Sequence, residues 1–173
     1  LWDKQIGYEN MPSLIAYAQS KGVDVLLWYN SNGSCNDAPQ GPKHRLDSAP
    51  ARQKEMAWMK ALGVKGIKVD FFGGDKQATM KLYEDILTDA NQYGIAVVFH
   101  GCTLPRGWER MYPNHMSSEA ALVSENLVFG QYHADKEAQR STLYPFIRNA
   151  VSAMDFGGVF FNKHFSKDGV SGT

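Results

Sequence analysis

The sequence has no excess of charge of either sign and no long hydrophobic run. Its 173 residues contain 18 Lys and Arg against 18 Asp and Glu. Proteins that bind nucleic acid or a membrane surface carry a basic excess or a basic stripe. The apolar runs, such as Ile95–Phe99, have the length of one strand rather than of a membrane span. We therefore expect no nucleic-acid partner and no membrane partner.

Short motifs for cofactors are also missing. No GxGxxG or GxxxxGK[ST] pattern follows a predicted strand, which disfavours a nucleotide-binding sheet. No HExxH, CxxC or EF-hand pattern occurs, so any metal would be held by dispersed carboxylates. Cysteine is scarce: Cys35 and Cys102 allow one disulfide, which does not make a disulfide framework and leaves the redox compartment open.

What the sequence does contain is an alternation of helical and β-rich segments. Hydrophobic residues make up 43% of the chain, enough for a buried core. Apolar spacing predicts helices at 11–21, 51–62 and 76–93, and continuous apolar runs predict strands at 23–29, 64–72 and 95–100. This alternation is typical of a parallel sheet, either open and doubly wound or closed into a barrel.

The second half of the chain is less regular. The sequence predicts a loop at 101–116, a short strand at Leu122–Val123 or Leu127–Phe129, a helix from about Glu137 to Met154 that Pro145 bends or splits, and a further strand at 157–161. An eight-stranded barrel needs about 250 residues. Polar residues at the strand ends favour the barrel over the open sheet. We therefore expect an α/β chain that forms part of a (β/α)8 TIM barrel.

The segment Gly66–Phe72 is the most informative. On a strand, Lys68 and Asp70 point to the same side, and in a barrel they would face the interior near the rim. A neighbouring ammonium would keep Asp70 ionised, as a carboxylate nucleophile requires. The alternative is a buried Lys–Asp pair or an ordinary aspartate at a strand end.

Glycoside hydrolysis needs a second carboxylate to protonate the leaving oxygen. The candidates that follow the third predicted strand are Glu109, Glu119, Glu125 and Glu137. Glu119 and Glu125 each follow a serine and are flanked by apolar residues, unlike glutamates in a solvated charge run. Each could instead be a helix-capping or surface residue.

Two further residues are candidates for substrate binding. His100 ends its strand and could hydrogen-bond a substrate, although a histidine satisfied at a strand end is the alternative. Trp28 could line a sugar subsite, although a packing role is the default for tryptophan. Arg106 and Trp108 are candidates for the wall formed by the following loop.

Four segments together resemble a known family. In this order, GIKVDFF, FHGCTLPRGWERMYPN, SSEAALVSEN and TLYPFIRNAVSAMDF resemble glycoside hydrolase family 97 over roughly Val23 to Phe161. The resemblance implies a bacterial, exo-acting α-glucosidase or α-galactosidase that hydrolyses oligosaccharides in the periplasm or outside the cell. It also implies that residues 1–173 are part of the catalytic barrel, without the N-terminal β-sandwich and the C-terminal β domain of the family.

The resemblance also implies roles for individual residues. Retaining members carry a nucleophilic aspartate at Asp70, whereas inverting members lack it and carry a glutamate base at the position of Gly101. The chain therefore resembles the retaining, α-galactosidase-like branch. Glu125 corresponds to the general acid/base, and Glu119 and Glu125 to glutamates that hold a calcium cofactor. In the mechanism that we expect on this basis, Lys68 binds substrate hydroxyls.

Three alternatives stay open at this point. The chain could come from an α-glucosidase of the same family, or from a sugar-binding barrel module without activity. A lyase or aldolase that forms a Schiff base on Lys68 is a third possibility.

Overall fold

A parallel sheet with strands in chain order forms the centre of the fold. The computed structural model describes residues 1–33 and 36–157. The strands are β1 (Leu26–Asn30), β2 (Gly66–Asp70), β3 (Ala96–Phe99) and β4 (His115–Ser118), and they pair in the order β1-β2-β3-β4. The expected parallel α/β architecture is confirmed.

Within residues 1–33 and 36–157, five α-helices and two short 3-10 helices accompany the strands. They are α1 (Trp2–Gln5), α2 (Met11–Ser20), α3 (Ala49–Ala61), α4 (Gln77–Tyr93) and α5 (Gln131–Ile147), with 3-10 helices at Trp108–Arg110 and Ser124–Phe129. Helix α4 ends at Gly94, whose φ of 70° gives the left-handed cap that stops a helix. Within the described ranges, no helix has the length and apolar character needed to cross a membrane.

The two faces of the sheet differ in burial. Tyr29, Val69 and Phe99 lie in register on one face and are fully buried against the helices. Trp28 and Lys68 pair with each other on the opposite face and are half-buried. The alternation predicted for Gly66–Phe72 is therefore confirmed, and it directs Asp70 to the half-buried face.

The second half of the chain departs from the predictions. His115–Ser118, at the end of the expected loop, forms strand β4. Neither of the two short strands expected near residues 122–129 forms, because that segment contains a 3-10 helix instead. Helix α5 begins and ends earlier than predicted and contains Pro145 near its carboxyl end. The strand predicted at 157–161 and Cys35 lie outside the described residues, apart from Gly157.

Candidate functional site

Three polar residues lie at the carboxyl ends of adjacent strands. Asp70 is the last residue of β2, His100 follows β3 and Glu119 follows β4. Val69 pairs with Phe99 and Phe99 with Ser118, so the next residue of each strand meets the others at one edge of the sheet. The parallel register therefore assembles side chains that are 30 and 19 positions apart in the sequence.

Each of these residues is followed by one in a left-handed conformation. Phe71, Gly101 and Ala120 have φ values of 62°, 49° and 48°. Left-handed backbone is unfavourable for phenylalanine and alanine, and such strain often occurs at functional sites. The chain therefore turns away from each strand directly after the polar side chain.

The carboxylate of Asp70 is surrounded by donors. Its Oδ1 accepts the Phe71 N–H at 2.7 Å, and its Oδ2 accepts the Trp28 indole N–H at 3.1 Å. His100 Nδ1 lies 3.2 Å from the same Oδ2. Burial alone would raise the pKa of Asp70, but the hydrogen bond and positive charge of His100, with the two N–H donors, outweigh it and hold that pKa below its usual value.

His100 bridges two carboxylates. Its Nε2 lies 3.2 Å from Glu119 Oε1, while its Nδ1 faces Asp70, so an imidazolium could donate to both. Burial would lower the pKa of His100, but these two carboxylates raise it above its usual value. Glu119 also accepts the Gly101 N–H at 2.7 Å. Burial raises the pKa of Glu119 to about 7, against the opposing effects of His100 and Gly101.

The prediction that Lys68 keeps Asp70 ionised was wrong. Among the described residues, the ion pair of Asp70 is with His100 and not with Lys68. Lys68 is half-buried on the same face of the sheet, and its charge acts on His100, whose pKa it lowers. A histidine adjacent in register therefore has the role that the sequence pattern assigned to the lysine two positions before Asp70.

A cavity of about 870 Å³ opens over these groups. Its wall contains Asp70, His100, Glu119 and Glu125, together with Phe71, Phe129, Tyr144 and Arg148. Glu125 belongs to the 3-10 helix Ser124–Phe129 and is exposed. One carboxylate oxygen of Glu125 lies within 4.8 Å of both a His100 nitrogen and a Glu119 oxygen. We call Asp70, His100, Glu119 and Glu125 the rim cluster.

Three other candidates, Trp28, Trp108 and Glu109, do not line the cavity. Trp28 contacts Asp70 through its indole N–H and packs on Phe71, with ring centroids 5.7 Å apart, but does not line the cavity. Trp108 is buried and stacks on Tyr83 in the core, so its assignment to the loop wall was wrong. Glu109 faces the buried His115 at 3.4 Å.

Sequence reasoning missed a cavity residue on α5's carboxyl side. Arg148 donates from Nε to the Ala120 carbonyl at 2.7 Å and lines the cavity beside the carboxylates. It lies within the TLYPFIRNAVSAMDF segment, but nothing in that pattern indicated that its side chain reaches the turn after Glu119.

The rim cluster offers ligands for a cation. Glu119 and Glu125 supply the hard oxygen atoms that calcium prefers. His100 adds a nitrogen, which is unusual for calcium, and that imidazole already faces two carboxylates. The two glutamates therefore fit calcium, and the remaining ligands would be further oxygen atoms.

Comparison with known proteins places this arrangement in a family. The family model of glycoside hydrolase 97 matches residues 3–121. A probable retaining alpha-galactosidase of Streptomyces bingchenggensis is 33% identical over 84% of this chain, and the retaining alpha-galactosidase of Bacteroides thetaiotaomicron is 26% identical over 85%. The chain spans about 20% of the length of each.

Solved structures agree with this placement. A beta-arabinopyranosidase is 59% identical over 99% of this chain, with a TM-score of 0.90, and the match covers 27% of that protein. A family 97 enzyme of Pseudoalteromonas sp. strain K8, solved in complex with panose, shares the fold at 18% identity with a TM-score of 0.71. The family model covers more than half of the residues, and the chain therefore belongs to glycoside hydrolase family 97.

Proposed function

We propose that this chain carries the reacting groups of a retaining exo-glycosidase, with Asp70 as nucleophile and Glu125 as general acid/base. The observation that carries the proposal is the environment of Asp70. Three donors hold its carboxylate ionised on the wall of a cavity that also contains Glu119 and Glu125. An ionised carboxylate opposite a second carboxyl group is the arrangement that double displacement requires.

The reaction would follow two displacements at the anomeric carbon. An oxygen of Asp70 attacks this carbon while the glycosidic bond breaks and Glu125 gives its proton to the leaving oxygen. Water, deprotonated by Glu125, then attacks the same carbon and releases Asp70, so the anomeric configuration is retained. For this geometry the two carboxyl groups would lie about 5–5.5 Å apart in the complex with substrate.

Other residues would prepare these groups. His100 and Trp28 stabilise the negative charge of Asp70 before the attack, since both donate to its Oδ2. Lys68, on the same face of the sheet, would bind substrate hydroxyl groups. Calcium, held by Glu119 and Glu125, would supply positive charge for orienting sugar oxygens. Glu125 would then bind calcium in its ionised state and hold the proton for the leaving oxygen in its neutral state.

The proposed sugar is a terminal α-galactosyl or β-arabinopyranosyl unit. The names of the two curated relatives support α-galactosides, and the similar solved structure, at 59% identity, supports β-arabinopyranosides. The two proposals are chemically close, because a β-L-arabinopyranoside has the ring configuration of an α-D-galactopyranoside and lacks its hydroxymethyl group. A cavity that recognises the shared ring hydroxyls would accept both and distinguish them at that group.

Because the chain spans about 20% of the length of its curated relatives, we propose that it is part of a longer protein, which we call the parent enzyme. The experiment uses the full-length parent enzyme and three nitrophenyl glycosides. We expect turnover of the α-galactoside and the β-L-arabinopyranoside and little turnover of the α-glucoside, with the first product anomer, read by NMR, retained. An inverted product would contradict Asp70 as nucleophile. Preference for the α-glucoside would contradict only the proposed sugar. The absence of turnover on all three would favour a sugar-binding module without activity.

Two glutamate variants separate the acid/base from the metal ligand. Glu125→Gln should keep activity on substrates with good leaving groups, and added azide should give a glycosyl azide of retained configuration. Glu119→Gln should lose activity on all substrates and recover part of it at high calcium concentration. The reverse pattern would exchange the two roles, which the raised pKa of Glu119, about 7, makes a definite alternative.

We also propose that the sheet is part of a (β/α)8 barrel in the parent enzyme. Four parallel strands in sequential order, with polar side chains gathered at their carboxyl ends, support this. A crystal structure of the full-length parent would test it: an open doubly wound sheet there would contradict the proposal.

A further inference from the structure

Gly101 connects the two buried carboxylates of the rim cluster. Its N–H donates to Glu119 Oε2 at 2.7 Å, and its carbonyl oxygen accepts the Phe72 N–H at 3.1 Å. The residue therefore joins the end of β2 to the residue that follows β4. It also lies directly after His100, which contacts both carboxylates.

There is no room for a side chain at this position. A Cβ atom on Gly101 would lie 2.6 Å from Asp70 Oδ1 and 3.0 Å from the Phe71 nitrogen. A contact of 2.6 Å is shorter than a carbon atom tolerates and one of 3.0 Å is tight, so the Asp70 carboxylate or the backbone at position 101 would have to move. The Phe71 nitrogen is backbone, and Asp70 is a short side chain whose Oδ1 accepts the Phe71 N–H. Neither can give way without a change in the position of the carboxylate.

We propose that Gly101 is a positioning residue of the reaction centre. Its missing side chain leaves the space in which Asp70 Oδ1 lies, while its N–H fixes Glu119, so one glycine sets the separation of the two carboxylates. The inference rests on the proposed function, since it assumes that the position of the Asp70 carboxylate decides the rate. Gly101 itself touches no reacting atom and acts through Asp70 and Glu119.

Two other glycines provide matched controls. Gly94 and Gly22 have φ values of 70° and 72°, in the same left-handed region as Gly101 at 49°, but a Cβ atom on either would meet nothing within 4 Å. Substitution by alanine at all three introduces similar backbone strain. Only Gly101→Ala adds a collision with the carboxylate, so the difference between the variants isolates that collision.

The first experiment measures the first displacement in the full-length parent. An activated fluoroglycoside labels the nucleophile, and mass spectrometry follows the labelling rate of the Asp70 peptide. We expect Gly101→Ala to slow labelling and to lower kcat by about a hundredfold or more, because a misplacement of about 1 Å can have that effect. Gly94→Ala and Gly22→Ala should stay within about twofold of the parent. Equal rates in Gly101→Ala and Gly94→Ala would overturn the inference.

A double variant tests whether the collision is with Asp70. In the parent, we expect Gly101→Ala to lower the Tm more than Gly94→Ala does. In the Asp70→Gly background, where the carboxylate is absent, we expect the two substitutions to lower the Tm by the same amount. If Gly101→Ala alone fails to fold, a double variant that folds, with a Tm below that of Asp70→Gly by no more than the Gly94→Ala loss, supports the inference. An undiminished loss in the Asp70→Gly background places the collision on Phe71 and overturns it.

The same variants distinguish a failure of the proposed function from a failure of the positioning role of Gly101. Parental turnover by Asp70→Gly would contradict the proposed function, and the positioning role would fall with it. An inactive Asp70→Gly enzyme beside an unimpaired Gly101→Ala enzyme would contradict the positioning role alone.

Discussion

Two buried carboxylates in this chain have similar exposure and very different surroundings. Asp70, at the rim, is 8% exposed, and Glu55, on α3, is 5% exposed. Glu55 Oε1 accepts the hydroxyl groups of Tyr8 at 2.6 Å and Tyr29 at 2.8 Å. We call Tyr8, Tyr29 and Glu55 the core cluster. Depth of burial alone therefore does not distinguish the two carboxylates.

The difference lies in the partners and in the presence of a cavity. The core cluster consists of one carboxylate and two neutral donors, and burial and Glu55 raise the pKa of both tyrosines, so these hydroxyl groups stay protonated and keep donating. The rim cluster combines three carboxyl groups with a histidine beside a cavity of about 870 Å³. In the core cluster, the carboxylate oxygen of Glu55 accepts hydrogen bonds from within the cluster. In the rim cluster, the carboxyl groups line the cavity, where a ligand can reach them.

The largest expected effect concerns the rim cluster. Asp70→Gly should lower hydrolysis by more than about a thousandfold, because it removes the oxygen atom that we propose as the nucleophile, while the fold persists. Azide can occupy the vacated space and attack from the same face, so the product should be a β-glycosyl azide. Product analysis and one melting curve provide the measurement. Turnover by Asp70→Gly at the rate of the parent would contradict a catalytic role for the rim cluster.

The matching change in the core cluster should affect stability instead. Tyr29→Phe keeps the buried ring but takes one donor from Glu55, which should lower the free energy of unfolding by about 1.5–3 kcal/mol. Activity per folded molecule should stay near that of the parent, since Tyr8, Tyr29 and Glu55 are not among the residues that line the cavity. Urea unfolding and kcat together test this. A large loss of kcat at unchanged stability would contradict the assignment of a structural role.

A smaller effect on kcat is expected at Trp28, which lies on strand β1 and donates a hydrogen bond to Asp70 of the rim cluster. Trp28→Phe keeps an aromatic ring and removes the N–H donor to Asp70 Oδ2. We expect kcat to fall by about tenfold with KM nearly unchanged, because the lost hydrogen bond to a charged group is worth about 1.5 kcal/mol. Trp58→Phe, in the aromatic cluster with Trp2 and Tyr8, is the control and should leave kcat unchanged. A raised KM at constant kcat would instead indicate the sugar contact predicted from the sequence.

The smallest expected effect is the pH dependence of stability without metal. Glu119 has a pKa of about 7 in the folded state, above its usual value, so the unfolded chain ionises first and stability falls as pH rises toward 7. His100 acts in the same direction, since its raised pKa gives stability that is lost as pH rises through the folded value.

Tm measurements after chelation should show this loss as a Tm that falls between about pH 5 and pH 7.5. Glu119→Gln should reduce it, and the Tyr29→Phe variant should retain it. Added calcium should raise the Tm more at pH 8 than at pH 5.5, because only ionised glutamates bind it. A calcium response that is larger at the lower pH would contradict Glu119 as a metal ligand.

The sequence predicted the first three strands because their apolar runs form a fully buried face. Strand β4 was missed because His115–Ser118 contains no apolar alternation and owes its strand conformation to pairing with β3. The alternation on β2 correctly placed Asp70 on the opposite face from Val69.

The contacts between the site residues could not be predicted from the sequence, because they depend on how the strands pair. The pairing of Val69 with Phe99 brings His100 beside Asp70, and this register is invisible in the local pattern, which offered Lys68 as the nearer cation. The role of Trp28 was missed for a similar reason, since its indole spans from β1 to the end of β2. The steric role of Gly101 needs the coordinates of a side chain 31 positions earlier.

A single left-handed residue follows each of Asp70, His100 and Glu119 and separates the strand that holds the polar side chain from the loop that comes after it. The polar side chains are fixed to strand ends, and the backbone leaves the extended conformation at the next residue, Phe71, Gly101 or Ala120. The connecting segments beyond these turns can therefore change in length and composition without displacing the groups at the strand ends.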